Sequence, residues 1–340
     1  QLFGTYEKQF GKHGLNLLLG YDQRKSDWGG LGAGRNDLPK NNSLGEINAG
    51  AADNQTNWGS SSSNRIRSGF GRLNYNFADK YLFESNVRYD GSSRFPKNNR
   101  FAFFPSFSAG WRISEEPFFE SLKSTVNNLK VRASWGQLGN QEIGNYVYQN
   151  KYQLGWLYGV GGQLVSGISE NSTLSNANLT WEKSTMTNVG LDMNFFNDKL
   201  TLTAEAYIKK TEDILLNLPR PTIIGAWVPT TNAGSVENKG IEIYIKHNNV
   251  IGDFRYSIGG NFSYVKNEIT DLKGTDSPGR SVGDPVANIY GYEAIGIFQS
   301  EEEIKNAPKQ SATGANVSPG DLRYKNRDGD NEITENDRTS

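Results

Sequence analysis

Apolar and polar residues alternate along many segments of this chain. In the segment 200–209, Leu200 and Leu202 occupy one parity and Thr201 and Thr203 occupy the other. Successive side chains of a β-strand point to opposite faces of its sheet, so this alternation predicts a strand with one apolar and one polar face. The same pattern recurs in the segments 15–22, 72–77, 81–89, 101–113, 129–135, 188–196, 241–247 and 254–264. We predict about ten strands, each near the length that a tilted membrane-crossing strand needs.

The connections between these strands differ in length in an ordered way. Four are tight, at 11–14, 78–80, 197–198 and 248–253, and four are long, at 22–63, 137–184, 211–238 and from about 267 to 340. Short and long connections alternate, apart from one of middle length and a helix-like insert at 114–128 that Ser114, Glu115 and Glu116 open. All short connections therefore lie at one end of the predicted sheet. Outer-membrane barrels have this asymmetry, whereas a soluble sandwich has no reason to sort its loops by end.

One residue conflicts with this pattern. Pro105 interrupts the strand predicted over 101–113 and cannot donate a backbone hydrogen bond. Because a barrel has no free edge to hold a proline, we expect a β-bulge there.

Composition excludes several classes of function. The 340 residues include 36 basic and 37 acidic side chains and carry a formal charge of −1, so no positive field is available to hold nucleic acid. Cysteine is absent, which excludes disulfides and thiolate metal sites within these residues. No run of about 18 apolar residues predicts a transmembrane helix.

Catalytic candidates are sparse. The two histidines, His13 and His247, fall at the short-turn end of predicted strands, which favours a structural role. Glu205 and Glu242 could form an acid/base pair, but neutralisation by Lys209 and Lys246 on a polar strand face is the simpler interpretation. The sequence therefore predicts no enzyme.

Five long segments carry a family resemblance. The stretches 87–119 ("VRYDGSSRFPKNNRFAFFPSFSAGWRISEEPFF"), 129–146, 179–215, 230–243 and 290–304, in this order, resemble the SusC/RagA family of TonB-linked outer-membrane transporters. The resemblance implies an all-β, antiparallel transmembrane β-barrel segment, part of a 22-strand barrel with long extracellular loops. It also implies import of oligosaccharides or peptides, energised through TonB, with a SusD-like surface lipoprotein as partner.

The resemblance also implies that these residues are part of a longer transporter. Nothing in 1–340 resembles the plug domain or the TonB box through which the family engages the TonB complex, so residues 1–340 are expected to be barrel alone. The expected location is the outer membrane, in contact with the lipid bilayer. Two alternatives stay open at this stage: a passive structural or adhesin-type barrel, and a soluble extracellular β domain that binds carbohydrate.

Exposed aromatic residues in the long loops are candidates for substrate contact. Trp28 and Trp58 lie in the predicted 22–63 loop, and Trp156 and Tyr158 lie in the 137–184 loop. Aromatic faces can stack on sugar rings, although packing within the loops would explain them as well.

The segment 326–337, "NRDGDNEITEND", within the 267–340 loop region, resembles an EF-hand calcium loop in its spacing. Oxygen-bearing residues occupy positions 1, 3, 5, 7 and 12, which are Asn326, Asp328, Asp330, Glu332 and Asp337. Asn at position 1 and Asp at position 12 depart from the usual residues, and Asn331 replaces the glycine at position 6. We expect a weak calcium (Ca²⁺) site that braces an extracellular loop; a solvated acidic turn without metal is the alternative.

Overall fold

The computed structural model describes residues 1–40, 45–53, 55–170, 173–218, 223, 226–314 and 316–340. In chain order the strands are β1 (Leu2–Phe10), β2 (His13–Arg35), β3 (Gln55–Phe77), β4 (Tyr81–Ser92), β5 (Phe101–Arg112), β6 (Val126–Asn140), β7 (Tyr152–Val160), β8 (Gln163–Glu170), β9 (Glu182–Phe195), β10 (Leu200–Glu212), β11 (Leu215–Asn217), β12 (Thr230–Asn232), β13 (Ser235–Ile251), β14 (Phe254–Asp271), β15 (Gly291–Tyr292), β16 (Ala294–Ile297), β17 (Leu322–Tyr324) and β18 (Arg338–Thr339). One α-helix, α1, spans Glu301–Asn306, and short 3₁₀ helices span Ile47–Ala49, Lys97–Asn99, Ile113–Glu115, Pro117–Leu122 and Glu335–Asp337. No helix among these residues is long and apolar enough to cross a membrane.

Ten of the strands form one antiparallel sheet. Their order across the sheet is β1-β2-β3-β4-β5-β6-β9-β10-β13-β14, so each strand lies beside the next large strand in the chain. The remaining strands form four two-stranded pairs, β7-β8, β11-β12, β15-β18 and β16-β17. The predicted number of about ten wall strands is therefore confirmed.

The register of the large sheet keeps apolar residues beside apolar residues from strand to strand. Across four neighbouring strands, Ala133 pairs with Val189, Val189 with Ala206, and Ala206 with Ile241. We call this side the apolar face; it continues across the sheet through Leu17, Leu73, Phe83, Phe107, Val131, Leu191, Ile243 and Phe262. Many of these side chains are exposed, because no second sheet packs against this face among the described residues.

The opposite parity forms the polar face of the sheet. It carries Asn16, Asn74, Glu84, Ser108, Arg132, Asn188 and Glu205, and all of these except Glu205 line one concave surface that runs from β1 to β9. A slip of one residue in any strand would exchange the two faces, so the alternation in the sequence specifies the register.

Short and long connections lie at opposite ends of the sheet, as predicted. At the short-turn end, residues Gly11–Lys12, Ala78–Lys80, Phe196–Lys199 and Gly252–Asp253 connect strands. Left-handed backbone at Asp79 and Asp198 closes two of these turns, and each aspartate accepts a bond from a nearby asparagine side chain. The turn predicted over 248–253 is shorter than expected, because β13 and β14 pair as far as Ile251 and Phe254.

Two local expectations were wrong, and the bounds of a third differ. First, no bulge lies at Pro105, which pairs with Val87 in register. The nitrogen of Pro105 points away from β4, towards β6. Because pairing of β5 with β6 begins only at Ser106, the missing N–H of Pro105 removes no hydrogen bond from the pairing of either strand pair. Second, the insert predicted as helix-like over 114–128 is helical but shorter than predicted: it consists of two 3₁₀ helices, Ile113–Glu115 and Pro117–Leu122, and β6 begins at Val126.

Third, residues 22–63 are not a loop throughout. Strands β2 and β3 continue into this segment and pair without interruption from His13 with Phe77 to Arg35 with Gln55. The glycine, serine and asparagine residues here lack an apolar parity, but backbone hydrogen bonds do not require one. The connection itself is confined to residues 36–54.

Candidate functional site

An arginine lies across the middle of the polar face. Arg132 on β6 donates from Nε to Asp192 Oδ2 on β9 at 3.1 Å, and its other end pairs with Glu205 on β10. Asn188 donates from Nδ2 to the second oxygen of Glu205 at 2.9 Å. We call these four residues the wall cluster. Three neighbouring strands are thereby joined by charge-assisted bonds on the concave side.

A glycine permits this crossing. Gly190 is the register partner of both Arg132 and Glu205, and a Cβ built at Gly190 would lie 2.6 Å from Cζ of Arg132. Any larger residue would displace the guanidinium. The counter-ion of Glu205 is therefore Arg132, and the expected neutralisation by Lys209 and Lys246 was wrong. Sequence alone could not place Arg132 there, because β6 and β9 are separated by a long connection.

Loop segments at the long-loop end share a buried core that the sequence pattern did not reveal. Phe95, Phe104, Leu179 and Trp181 are each at most 5% exposed and pack together, and we call them the rim core. The ring of Trp181 lies 5.0 Å from that of Phe95 and 5.5 Å from that of Phe104. Phe104 has the polar parity of β5. This break in the alternation was the one feature of the sequence that indicated a buried contact here. The rim core holds the β4–β5 connection against the segment before β9.

Polar side chains reinforce the same end of the wall. Asn232 accepts the backbone N–H of Thr180 at 2.8 Å and donates to the carbonyls of Thr180 and Asp213 at 2.8 and 2.9 Å, so its amide acts as an extra peptide group. Arg94 donates to the Gln141 carbonyl at 2.9 Å and to the Asn145 side chain at 3.1 Å. These bonds connect successive loops into one ordered rim.

The four aromatic candidates lie in strands and are exposed. Trp28 on β2 and Trp58 on β3, 61% and 59% exposed, both have the polar parity. Their rings lie over Gly30 and Gly32: a Cβ at Gly30 would be 2.8 Å from the Trp28 ring and 3.4 Å from the Trp58 ring. The structure therefore brings these two tryptophans together as one aromatic patch.

Trp156 and Tyr158 lie on the separate β7-β8 hairpin. They are two residues apart on one strand and therefore share a face, and both are about half exposed. The Tyr158 hydroxyl donates to the Ile168 carbonyl at 2.8 Å, across the hairpin. Contact of either aromatic pair with substrate stays a prediction.

The segment 326–337 folds as a tight loop in which side-chain oxygens accept backbone N–H groups. Asn326 accepts from Gly329 at 2.6 Å, Asp328 from Asp330 at 3.3 Å, and Asp330 from Glu332 at 2.9 Å. Asn331 has φ of +69°, the left-handed conformation for which asparagine is suited.

Asp337 is the last residue of this segment and is fully buried. Its carboxylate accepts the N–H of Thr334 at 2.8 Å and the N–H of Arg327 at 2.5 Å, and these bonds hold the pKa of Asp337 below its ordinary value. Across the described part of the chain, no three acidic or histidine side chains converge as a metal site would require. Calcium binding by Asn326, Asp328, Asp330, Glu332 and Asp337 stays a prediction.

Comparisons with known proteins agree with this architecture. A family model described as TonB dependent receptor-like, beta-barrel, matches residues 2–339. The TonB-dependent receptor P3 of Formosa agariphila is 35% identical over 352 residues, covering 98% of this chain and 34% of that protein. The TonB-dependent receptor SusC of Bacteroides thetaiotaomicron is 39% identical over 223 residues, covering 63% of this chain and 22% of SusC.

A solved structure shows the same fold. A chain of the RagAB peptide transporter superposes with a TM-score of 0.75 at 27% identity, over 90% of this chain and 34% of that chain. The present chain thus spans about a third of the length of P3 and of the RagAB chain. The SusC/RagA resemblance and the outer-membrane location are confirmed. This chain belongs to the TonB-dependent receptor-like β-barrel family, and its ten-stranded sheet is a section of an outer-membrane barrel wall.

Proposed function

We propose that this chain forms part of the barrel of a TonB-dependent importer of the SusC type, which takes up oligosaccharides or peptides across the outer membrane. The observation that carries the proposal is the two-faced sheet of ten strands, which has an apolar face suited to lipid and a polar face that is concave from β1 to β9. The match to receptors along nearly the whole chain supports transport as the role. A transport role requires no catalytic residues.

The aromatic patch of Trp28 and Trp58 is proposed to contact substrate. Both rings have the polar parity at the long-loop end, where a solute would enter the barrel, and both expose more than half of their surface. An aromatic face binds sugar rings or apolar peptide side chains by dispersion and stacking. Trp156 and Tyr158 are proposed as a second contact on the β7-β8 hairpin.

A W28A/W58A double variant tests the aromatic proposal. It should weaken substrate binding by the full-length protein about tenfold or more, because each exposed stacking contact contributes roughly 0.5 to 1.5 kcal/mol. The matched control is Trp111→Ala, since Trp111 lies on the apolar face at the opposite end. Equal binding by the double variant and the wild type would contradict the assignment.

A surface lipoprotein is the proposed partner at the long-loop end. The ordered rim at this end provides a rigid surface for binding a partner. The related RagAB peptide importer is described in closed-closed and open-open states. Gentle solubilisation of the native outer membrane should co-purify the full-length protein with a SusD-like lipoprotein. Recovery of the barrel protein alone under these conditions would contradict the partnership.

Uptake by cells tests the proposed function itself. A strain that lacks the full-length gene should fail to take up, or to grow on, at least one member of a panel of oligosaccharides and peptides, and complementation should restore growth. Import should also stop in a strain without TonB. Uptake that persists without TonB would instead indicate a passive barrel.

A further inference from the structure

The insert between β5 and β6, residues 113–125, contacts the wall at several points, of which the carboxylate of Glu116 has the most bonds, and we call it the rim insert. Glu116 accepts from the Tyr81 hydroxyl at 2.6 Å, from Trp111 Nε1 at 3.2 Å and from Lys80 Nζ at 3.1 Å. With three donors around it, the Glu116 side chain is only 11% exposed. The bonds of Glu116 therefore form an ordered, largely buried contact at the short-turn end and differ from an exposed surface ion pair.

The position of these donors shows on which side of the wall the rim insert lies. Tyr81 and Trp111 are register partners on the apolar face, and their rings stack at 6.5 Å with an interplanar angle of 12°. The Tyr81 ring also stacks at 6.2 Å with Phe77. Glu116 therefore reaches the outward side of the wall, away from the concave polar face. Tyrosine and tryptophan with apolar rings and bonded polar tips are typical of the membrane interface.

Beyond Glu116, the rim insert exposes two large apolar side chains. The 3₁₀ helix Pro117–Leu122 buries Phe119 but leaves Phe118 and Leu122 exposed by 67% and 53%. The segment is fixed at its end, because Thr125 accepts the backbone N–H of Phe196 in the next turn at 2.9 Å. Two exposed apolar side chains are thus presented by an anchored segment, two and six residues beyond Glu116 in the chain.

We infer that the rim insert is a membrane-interface anchor, with Phe118 and Leu122 entering the lipid of the leaflet at the short-turn end. Its occupant is lipid because the rim insert continues the apolar face: Glu116 bonds directly to residues of that face. Lys80 and Lys123 flank the rim insert, and each is paired with a glutamate, Glu116 and Glu120 respectively. This inference requires the membrane location of the wall and is independent of what the protein transports.

Spin labelling of the full-length protein tests the anchor. Phe118→Cys and Leu122→Cys variants, with cysteines outside these residues replaced, are labelled with a nitroxide and reconstituted into vesicles of phosphatidylethanolamine and phosphatidylglycerol. The control is Asp253→Cys, in the exposed β13–β14 turn at the same end. Labels at 118 and 122 should collide more often with oxygen, which partitions into lipid, than with an aqueous nickel chelate, and the label at 253 should show the reverse.

A second readout leaves the native side-chain size largely unchanged. A Phe118→Trp variant should lose additional fluorescence in vesicles that contain brominated lipid, whereas Asp253→Trp should not. Aqueous contact of the labels at 118 and 122 would overturn the anchor. Labels that are aqueous in vesicles but shielded in native outer membranes would overturn it in favour of a protein partner.

Discussion

At the residue scale, the wall cluster shows how one glycine determines the pairing of three charged side chains. Gly190 leaves room for Arg132 to cross β9 and reach Glu205, while Asp192 holds the near end of the guanidinium. All three charged side chains are 25 to 29% exposed, so solvent screens their interaction only in part. Removing the arginine leaves two carboxylates close together on the wall.

Arg132→Ala should lower the free energy of unfolding by about 1 to 2 kcal/mol, because two charge-assisted bonds are lost. Denaturant unfolding of the protein in vesicles measures this change. The control is Arg72→Ala, an inward-facing arginine on β3 that forms no ion pair among the described residues and should change stability by less than about 0.5 kcal/mol. In a double-mutant cycle, Arg132→Ala and Glu205→Gln should couple by at least about 0.5 kcal/mol; additive effects would contradict the pairing.

Glu116 makes the attachment of the rim insert sensitive to acid. Its bonds from Tyr81, then Trp111 and Lys80, hold the pKa of Glu116 below the ordinary value of 4.5. The ionised carboxylate therefore stabilises the docked insert fully above the ordinary pKa, and this contribution falls away as the pH drops through the lower folded pKa.

We expect a nitroxide at position 118 to become more mobile as the pH falls from 5 to about 3. The matched control is Glu116→Gln, which retains an acceptor oxygen but cannot titrate and should give a flat profile. If both proteins show the same pH profile, Glu116 does not control the attachment.

At the level of strands and loops, the sequence predicted those segments in which apolar and polar residues alternate and did not predict those that lack this alternation. Strand β10 shows a clean alternation of apolar and polar residues, and its faces follow from the sequence. The outer half of the β2-β3 hairpin has glycine and serine on both parities. Its strands are paired by backbone hydrogen bonds, which the side-chain pattern of the sequence does not predict. The rim core joins Phe95 to Trp181, and contacts so distant in sequence are fixed only by the strand order.

The loop at 326–337 is the element for which a cation is predicted. Its oxygens at Asn326, Asp328 and Asp330 already accept loop N–H groups, and each carboxylate keeps a second oxygen for a ligand. We expect calcium to bind with a Kd on the order of 0.1 to 1 mM, measured by calorimetric titration, and binding to disappear in a D328A/D330A variant. The control is Glu335→Ala, which lies outside the proposed ligand set. No heat at several millimolar calcium would exclude the site.

At the scale of the whole molecule, the alternation and the sorting of connections predicted a barrel wall, its polarity and its short-turn end. The strand order followed because each antiparallel strand lies beside the next large one. The pattern did not predict which side chains meet on the polar face. The partner of Arg132, for example, depends on the register between β6 and β9, which a long connection separates in the chain.

The two faces of the sheet are expected to meet different surroundings: the apolar face contacts lipid and the polar face does not. Ala204 and Thr203 are neighbours on β10 with opposite parity: Ala204 lies between Leu191 and Ile243, and Thr203 lies between Asp192 and Tyr244. Arginine at position 204 should reduce the free energy of folding into bilayers by roughly 2 to 4 kcal/mol, because the charge would enter lipid. Thr203→Arg should cost much less, because position 203 faces the polar side. The measurement is denaturant-induced unfolding of the two full-length variants in phospholipid vesicles, and equal costs at 203 and 204 would show that the apolar face does not contact lipid.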